Sequence, residues 1–121
     1  MEMADFALID ARSPEQYSGD EPGAGISRPG HIPGAVNIPW SAALESKQDP
    51  RLLPIPDLRK IFRAARITAP RLIVYCRTGM LASFLYFTAR FLGYDAVMYD
   101  GSFFEWSNSS VNAVQRGPSP R

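Results

Sequence analysis

Tyr75-Cys76-Arg77-Thr78-Gly79-Met80-Leu81-Ala82-Ser83 joins two apolar runs at the chain's only cysteine, and its reading decides the fold. Before it, Leu72-Ile73-Val74-Tyr75 is short, β-branched at its centre and closely bounded, as a buried parallel strand is. After it, Leu81 to Leu92 runs without proline or glycine until Gly93, a helix stop. The turn between them is sharp, and Gly79 supplies the backbone freedom it needs. Strand, loop and helix together place Cys76 at the carboxyl end of a strand, facing a helix N-terminus. Unpaired N–H groups and the helix dipole favour a thiolate there, and Arg77 adds positive charge. Cys76 is thus a candidate nucleophile, set against the plain alternative of a small, inert core cysteine.

Working outward, Phe6-Ala7-Leu8-Ile9-Asp10 reads as a second buried strand. The polar Asp10-Ala11-Arg12 lies at its carboxyl end, where ligands of open α/β sheets gather. Ser13-Pro14-Glu15-Gln16 starts a helix, with a capping serine, proline at the first position and Gln16 able to complete a capping box. Gly19 keeps that helix short. Ser18 to Pro33, rich in glycine and proline, is a loop, and Ala35-Val36-Asn37-Ile38 forms a brief strand. Trp40 to Pro54 holds no long element beyond a helical turn at Ser41 to Leu44. Pro56 to Ala65 is an amphipathic helix with Leu58, Ile61, Phe62 and Ala65 on one face. Apolar side chains surround most of Leu81 to Leu92, which predicts a helix buried nearly all round. Ala96-Val97-Met98-Tyr99 is a strand, and Ser102 to Trp106 is a capped helical turn whose aromatics pack in the core.

Alternating strands and helices define an α/β domain with a mainly parallel central sheet and helices on both faces. The domain spans residues 1–107, and residues 108–121 form a polar, loosely ordered C-terminal tail. The chain's 121 residues suit one core. Its 13 basic and 12 acidic residues give a formal charge of +1, so no basic stripe points to nucleic acid or a membrane surface. One cysteine and one histidine exclude an internal disulfide and are too few soft ligands for a structural zinc site. No metal is expected. The lone cysteine, with neither a signal-peptide pattern nor an apolar run of spanning length, makes a cytoplasmic protein the expectation. His31, between Gly30 and Ile32-Pro33-Gly34, suits a turn-stabilising role better than that of a catalytic base.

Three stretches in order resemble the rhodanese family of sulfurtransferases, over nearly all of Phe6 to Trp106. Leu8-Ile9-Asp10-Ala11-Arg12-Ser13-Pro14-Glu15-Gln16-Tyr17, with Gly30-His31-Ile32-Pro33-Gly34-Ala35-Val36-Asn37-Ile38-Pro39, is similar to its amino-terminal signature. Tyr75-Cys76-Arg77-Thr78-Gly79 is similar to its active-site loop, and Tyr99-Asp100-Gly101-Ser102-Phe103-Phe104-Glu105-Trp106 to its carboxy-terminal signature. The likeness is greatest to the catalytic carboxy-terminal half of tandem rhodaneses. It implies that Cys76 takes a sulfane sulfur from a donor, becomes a persulfide, and passes the outer sulfur to a thiophilic acceptor. Arg77, Thr78, Gly79, Met80 and Leu81 would form the cradle for that sulfur, with no cofactor and no metal. Asp10 and Arg12 would brace the loop from the neighbouring strand end.

Donor and acceptor classes follow from the same resemblance: a small sulfur-containing anion such as thiosulfate, or another persulfide, and then cyanide or a thiol, including one on a protein. Cysteine-dependent phosphatases clamp phosphate with an arginine at the position that is Ala82 here, which argues against phosphatase chemistry. Thr78 and Gln16 stand where thiosulfate enzymes carry cations. Thiosulfate binding is therefore expected to be weak. A non-turnover sulfur carrier or redox-sensing module is the alternative reading, and an inert interaction domain the third.

Overall fold

Runs of Leu, Ile and Val with no charge at their centre need cover on both faces, and a parallel sheet between helices gives it. The computed structural model describes residues 6–21, 23, 25–46, 48, 51–67, 69–76, 82–99, 102–109 and 111–120. In it, strand β1 (Phe6–Asp10) lies parallel to β3 (Arg71–Tyr75), with Phe6 opposite Arg71 and Asp10 opposite Tyr75. Strand β2 (Val36–Asn37) flanks β1 and strand β4 (Asp95–Met98) flanks β3, both parallel, in the order β2-β1-β3-β4. The chain leaves β1 toward one side and β3 toward the other. The carboxyl ends of β1 and β3 therefore form the sheet's switch point, where open α/β sheets bind ligands.

Alternation along the strands divides the core in two. Ile9, Leu72, Val74 and Ala96 face helices α2 (Ile55–Ala64) and α3 (Ala82–Phe91), meeting Leu58, Phe62, Leu85 and Ala89. Leu8 and Tyr75 face the other way, toward Tyr17 of α1 (Pro14–Ser18), Ile32, Ala35 and Phe103 of α4 (Ser102–Asn108). Each fully buried Leu or Phe contributes about 1.5–3 kcal/mol. Helices thus cover both faces, as the alternation of elements predicts.

Local signals account for the ends of these elements. Ser13 Oγ accepts the Gln16 N–H at 3.2 Å while Gln16 Oε1 accepts the Ser13 N–H at 3.4 Å, and Gly19 closes α1 in the left-handed region at φ +95°. The helical turn falls at Trp40–Ala43, as a 3-10 turn, and the brief second strand narrows to Val36–Asn37.

One expectation changes. Helix α3 is not buried all round: Ala82, Leu85, Thr88 and Ala89 face the sheet, whereas Phe87 and Phe91 are 57% and 55% exposed and stack on each other. The helix covers only one sheet face, so its far side meets solvent whatever its residues. Described residues of the polar tail hydrogen-bond to the domain. Gln115 exchanges two 2.8 Å backbone hydrogen bonds with His31, the Gly117 N–H donates to the Ser18 carbonyl, and Trp106 Nε1 donates to the Ala113 carbonyl. These partners are mostly main-chain groups, which hold a polar segment without any apolar pattern.

Candidate active site

Cys76 follows β3 directly and is 2% exposed. Its Sγ accepts the Ala82 N–H at 3.2 Å, and Ala82 opens α3. The sulfur therefore sits against the N-terminal turn of a ten-residue helix, as the sequence leads one to expect. Its peptide group is held from the other side by α4. The Cys76 N–H donates to Ser102 Oγ at 2.7 Å, and the Phe103 N–H donates to the Cys76 carbonyl at 2.8 Å. Ser102 is fully buried and adopts φ +53°, a left-handed conformation that serine seldom takes without compensation. The Cys76 contact is that compensation.

Asp10 and Arg12 lie at the adjacent strand end, where the Ala11 N–H donates to the Tyr75 carbonyl at 2.7 Å. Both are buried, and they form a two-pronged ion pair. Arg12 Nη2 meets Asp10 Oδ2 at 2.7 Å and Nε lies 3.0 Å from Oδ1, while the Arg12 N–H donates to Oδ1 at 2.9 Å. Nη2 also donates to the Gly30 carbonyl at 2.5 Å, and the guanidinium stacks 4.1 Å over the Phe103 ring. Phe103, in turn, holds the Cys76 carbonyl. A buried carboxylate, a guanidinium and an aromatic ring thus connect the end of β1 to the cysteine's own peptide unit. Fork geometry makes such a pair directional as well as attractive.

Burial, and next the Asp10 charge, push the Tyr75 phenol well above its ordinary range. Its hydroxyl oxygen accepts the Ile32 N–H at 3.0 Å, fixing the turn beside the site. His31 is fully buried and stacks on Tyr17 at 3.7 Å, with Nδ1 2.8 Å from the Tyr17 carbonyl. A carbonyl only accepts, so Nδ1 carries the proton. The imidazole is committed to the turn.

The structure thus brings Cys76, Asp10 and Arg12 to neighbouring strand ends. Arg77, Thr78, Gly79, Met80 and Leu81 lie outside the described residues, as do Asp100 and Gly101. Reading the sequence missed two supports. Ser102 looks like an ordinary helix cap, and its contact with Cys76 depends on how β4 delivers α4. Asn37 Nδ2 donates to the carbonyls of Asp10 and Arg12, at 3.0 and 2.9 Å, and so shapes the turn after β1. An asparagine at the end of a two-residue strand was its only signal.

The fold and the site define a class: a parallel α/β domain presenting one cysteine at the switch point, against a helix N-terminus. Residues 1–109 match the rhodanese-like domain, and the chain belongs to that family. It is 40% identical over 120 residues to the sulfur carrier protein TtuD of Thermus thermophilus, covering 92% of this chain and 41% of that protein. It is 36% identical over 114 residues to the thiosulfate sulfurtransferase of Pseudomonas aeruginosa, covering 93% and 41%. Among solved structures, EanB with ergothioneine covalently linked to a persulfide cysteine superposes with a TM-score of 0.82 at 30% identity, covering 94% of this chain and 29% of that one. The chain spans about two-fifths of the length of these curated relatives.

Proposed function

We propose that this domain is a sulfurtransferase of the thiosulfate type, in which Cys76 carries the sulfur as a persulfide. The observation that carries the reading is the Cys76 sulfur itself, at the switch point and 3.2 Å from the Ala82 amide. That donor favours the thiolate before transfer and the anionic outer sulfur after it. The Cys76 thiolate attacks the outer sulfur of thiosulfate. A bond from Sγ to that sulfur forms, the sulfur–sulfur bond of the donor breaks, and sulfite leaves with the electron pair. Cyanide or a thiolate then takes the outer sulfur and returns Cys76 to its thiolate.

In this reading Arg77, Thr78, Gly79, Met80 and Leu81 form the persulfide cradle, and Asp10 and Arg12 act as positioning residues through Phe103. A second reading has a specific basis: TtuD is named a sulfur carrier, so this domain would load once and deliver to a protein partner. Turnover separates the two.

The test is intact mass after incubation with thiosulfate, for the wild type and Cys76→Ser, before and after cyanide. A gain of one sulfur that requires Cys76 and is reversed by cyanide supports transfer, and repeated thiocyanate release supports an enzyme over a carrier. If neither thiosulfate nor a glutathione persulfide adds sulfur, the reading falls.

A further inference from the structure

A cleft of about 480 Å³ opens at the carboxyl ends of β1 and β2, between the start of α1 and the 3-10 turn. Its apolar part includes Pro14, Pro39 and Trp40, Ser41 is one of three serines that add hydroxyls, and Glu15 is the only charged side chain among its described lining residues. Glu15 is exposed, and its carboxylate pairs with no cation among the described residues. Trp40 ties the cleft to the sulfur site. Its N–H donates to the Ala11 carbonyl at 3.0 Å, and Ala11 pairs with Tyr75, the residue before Cys76. The Trp40 ring packs edge-on against Phe84, two residues after the Ala82 amide that holds Sγ.

An anionic donor is poorly served by such a cleft. A carboxylate repels thiosulfate, and Gln16, the next residue, carries no charge. Proline and tryptophan walls beside one carboxylate instead suit an organic group that is apolar in its body and positively charged at one end. Resting on the sulfurtransferase reading, we infer that this cleft seats the sulfur acceptor and selects a cationic thiol, with Glu15 as a specificity-determining residue. The acceptor thiolate attacks the outer sulfur of the Cys76 persulfide. A new sulfur–sulfur bond forms on the acceptor, the bond from Sγ to the outer sulfur breaks, and its electron pair stays on Cys76. The proton that the acceptor thiol gives up on ionising goes to the outer sulfur, which leaves as the acceptor's hydropersulfide.

The test uses protein already carrying sulfur on Cys76 and follows its loss by intact mass. Discharge rates are compared for cysteamine, whose ammonium is positive, and 3-mercaptopropionate, whose carboxylate is negative. Each rate is taken relative to that thiol's rate with glutathione persulfide, so intrinsic reactivity cancels. In the wild type the corrected cysteamine rate exceeds that of 3-mercaptopropionate. Glu15→Gln shrinks the ratio by roughly two- to five-fold, the span expected of one exposed charge pair, and Glu15→Lys inverts it. A ratio near one in the wild type, or one that neither substitution moves, overturns the inference and leaves sulfur transfer standing. A protein that no donor can load overturns the sulfurtransferase reading, and this inference with it.

Discussion

At the scale of single residues, Ser102 accepts the Cys76 N–H, and the Asp10–Arg12 pair reaches the Cys76 carbonyl through Phe103. Replacing Ser102 by alanine strands the buried Cys76 N–H, which costs about 1–3 kcal/mol. Alanine also keeps the left-handed backbone strain at φ +53°, whereas Ser102→Gly relieves it. Both variants are expected to slow sulfur loading, and glycine is expected to be the more stable of the two. Urea unfolding beside single-turnover loading checks this, and a Ser102→Ala protein that loads at the wild-type rate removes Ser102 from the site. The ion pair obeys a different rule, because a buried charge left alone is worse than none. Asp10→Asn is expected to destabilise by about 3–5 kcal/mol, and adding Arg12→Met to recover part of that loss. A thermal-unfolding double-mutant cycle reads the coupling directly, and strictly additive effects would contradict the observed fork of contacts. That these two residues lie beside Cys76 was legible from their place at a strand end. Ser102 was not, since its Oγ reaches the cysteine only through the register of β4 and the turn after it.

At the scale of elements, signals contained within a few residues were readable and those spanning the chain were not. Ser13 and Gln16 announce α1 because the capping box closes within one turn. Apolar strands bounded by polar residues announce β1 and β3 in the same way. The faces of α3 were misjudged, because composition cannot say whether a helix has one neighbour or two. A surface Phe87 makes a definite prediction: Phe87→Glu loses only its stacking with Phe91, about 0.2–0.5 kcal/mol. A loss of several kcal/mol in urea unfolding would mean that the helix is covered on that side. The contacts of the tail could not be read, because Gln115 binds His31 through backbone groups, which leave no mark on composition. Gly30 records this docking. A Cβ there would lie 2.3 Å from the Gln115 carbonyl oxygen, whereas one at Gly93 would meet nothing within 4 Å, and both positions have positive φ. Gly30→Ala is therefore expected to be clearly more destabilising than Gly93→Ala, which bears backbone strain alone. Equal thermal shifts in the two variants would show that the tail does not rest on Gly30.

At the scale of the whole molecule, the switch point is the organising fact, and it was legible because both strand ends carry polar residues that a core would reject. What could not be read was how many buried groups share one electrostatic environment around it. Tyr75 accepts from Ile32 and lies near Asp10, while Tyr17 on α1 donates its hydroxyl to the Ala35 carbonyl. Burial first, and the Asp10 charge second, raise both phenols above their ordinary value of 10.0. In the unfolded chain both ionise near that value. Below about pH 10 each phenol is protonated in both states, so the stability it contributes is fully present. Above that, the unfolded chain releases protons that the native state still holds, and stability falls as pH rises. Each such tyrosine adds a slope of about 1.4 kcal/mol per pH unit, until its native phenol ionises in turn. Tyr75→Phe removes one of the two. Its stability at pH 7 is expected to drop by about 1–3 kcal/mol, because the Ile32 N–H loses its acceptor, while its decline above about pH 10 is shallower than the wild type's. Urea unfolding at a series of alkaline pH values measures both quantities. Parallel wild-type and variant curves above that pH would mean that Tyr75 ionises in the native state as it does in the unfolded chain, and that the core beside Cys76 is open to water.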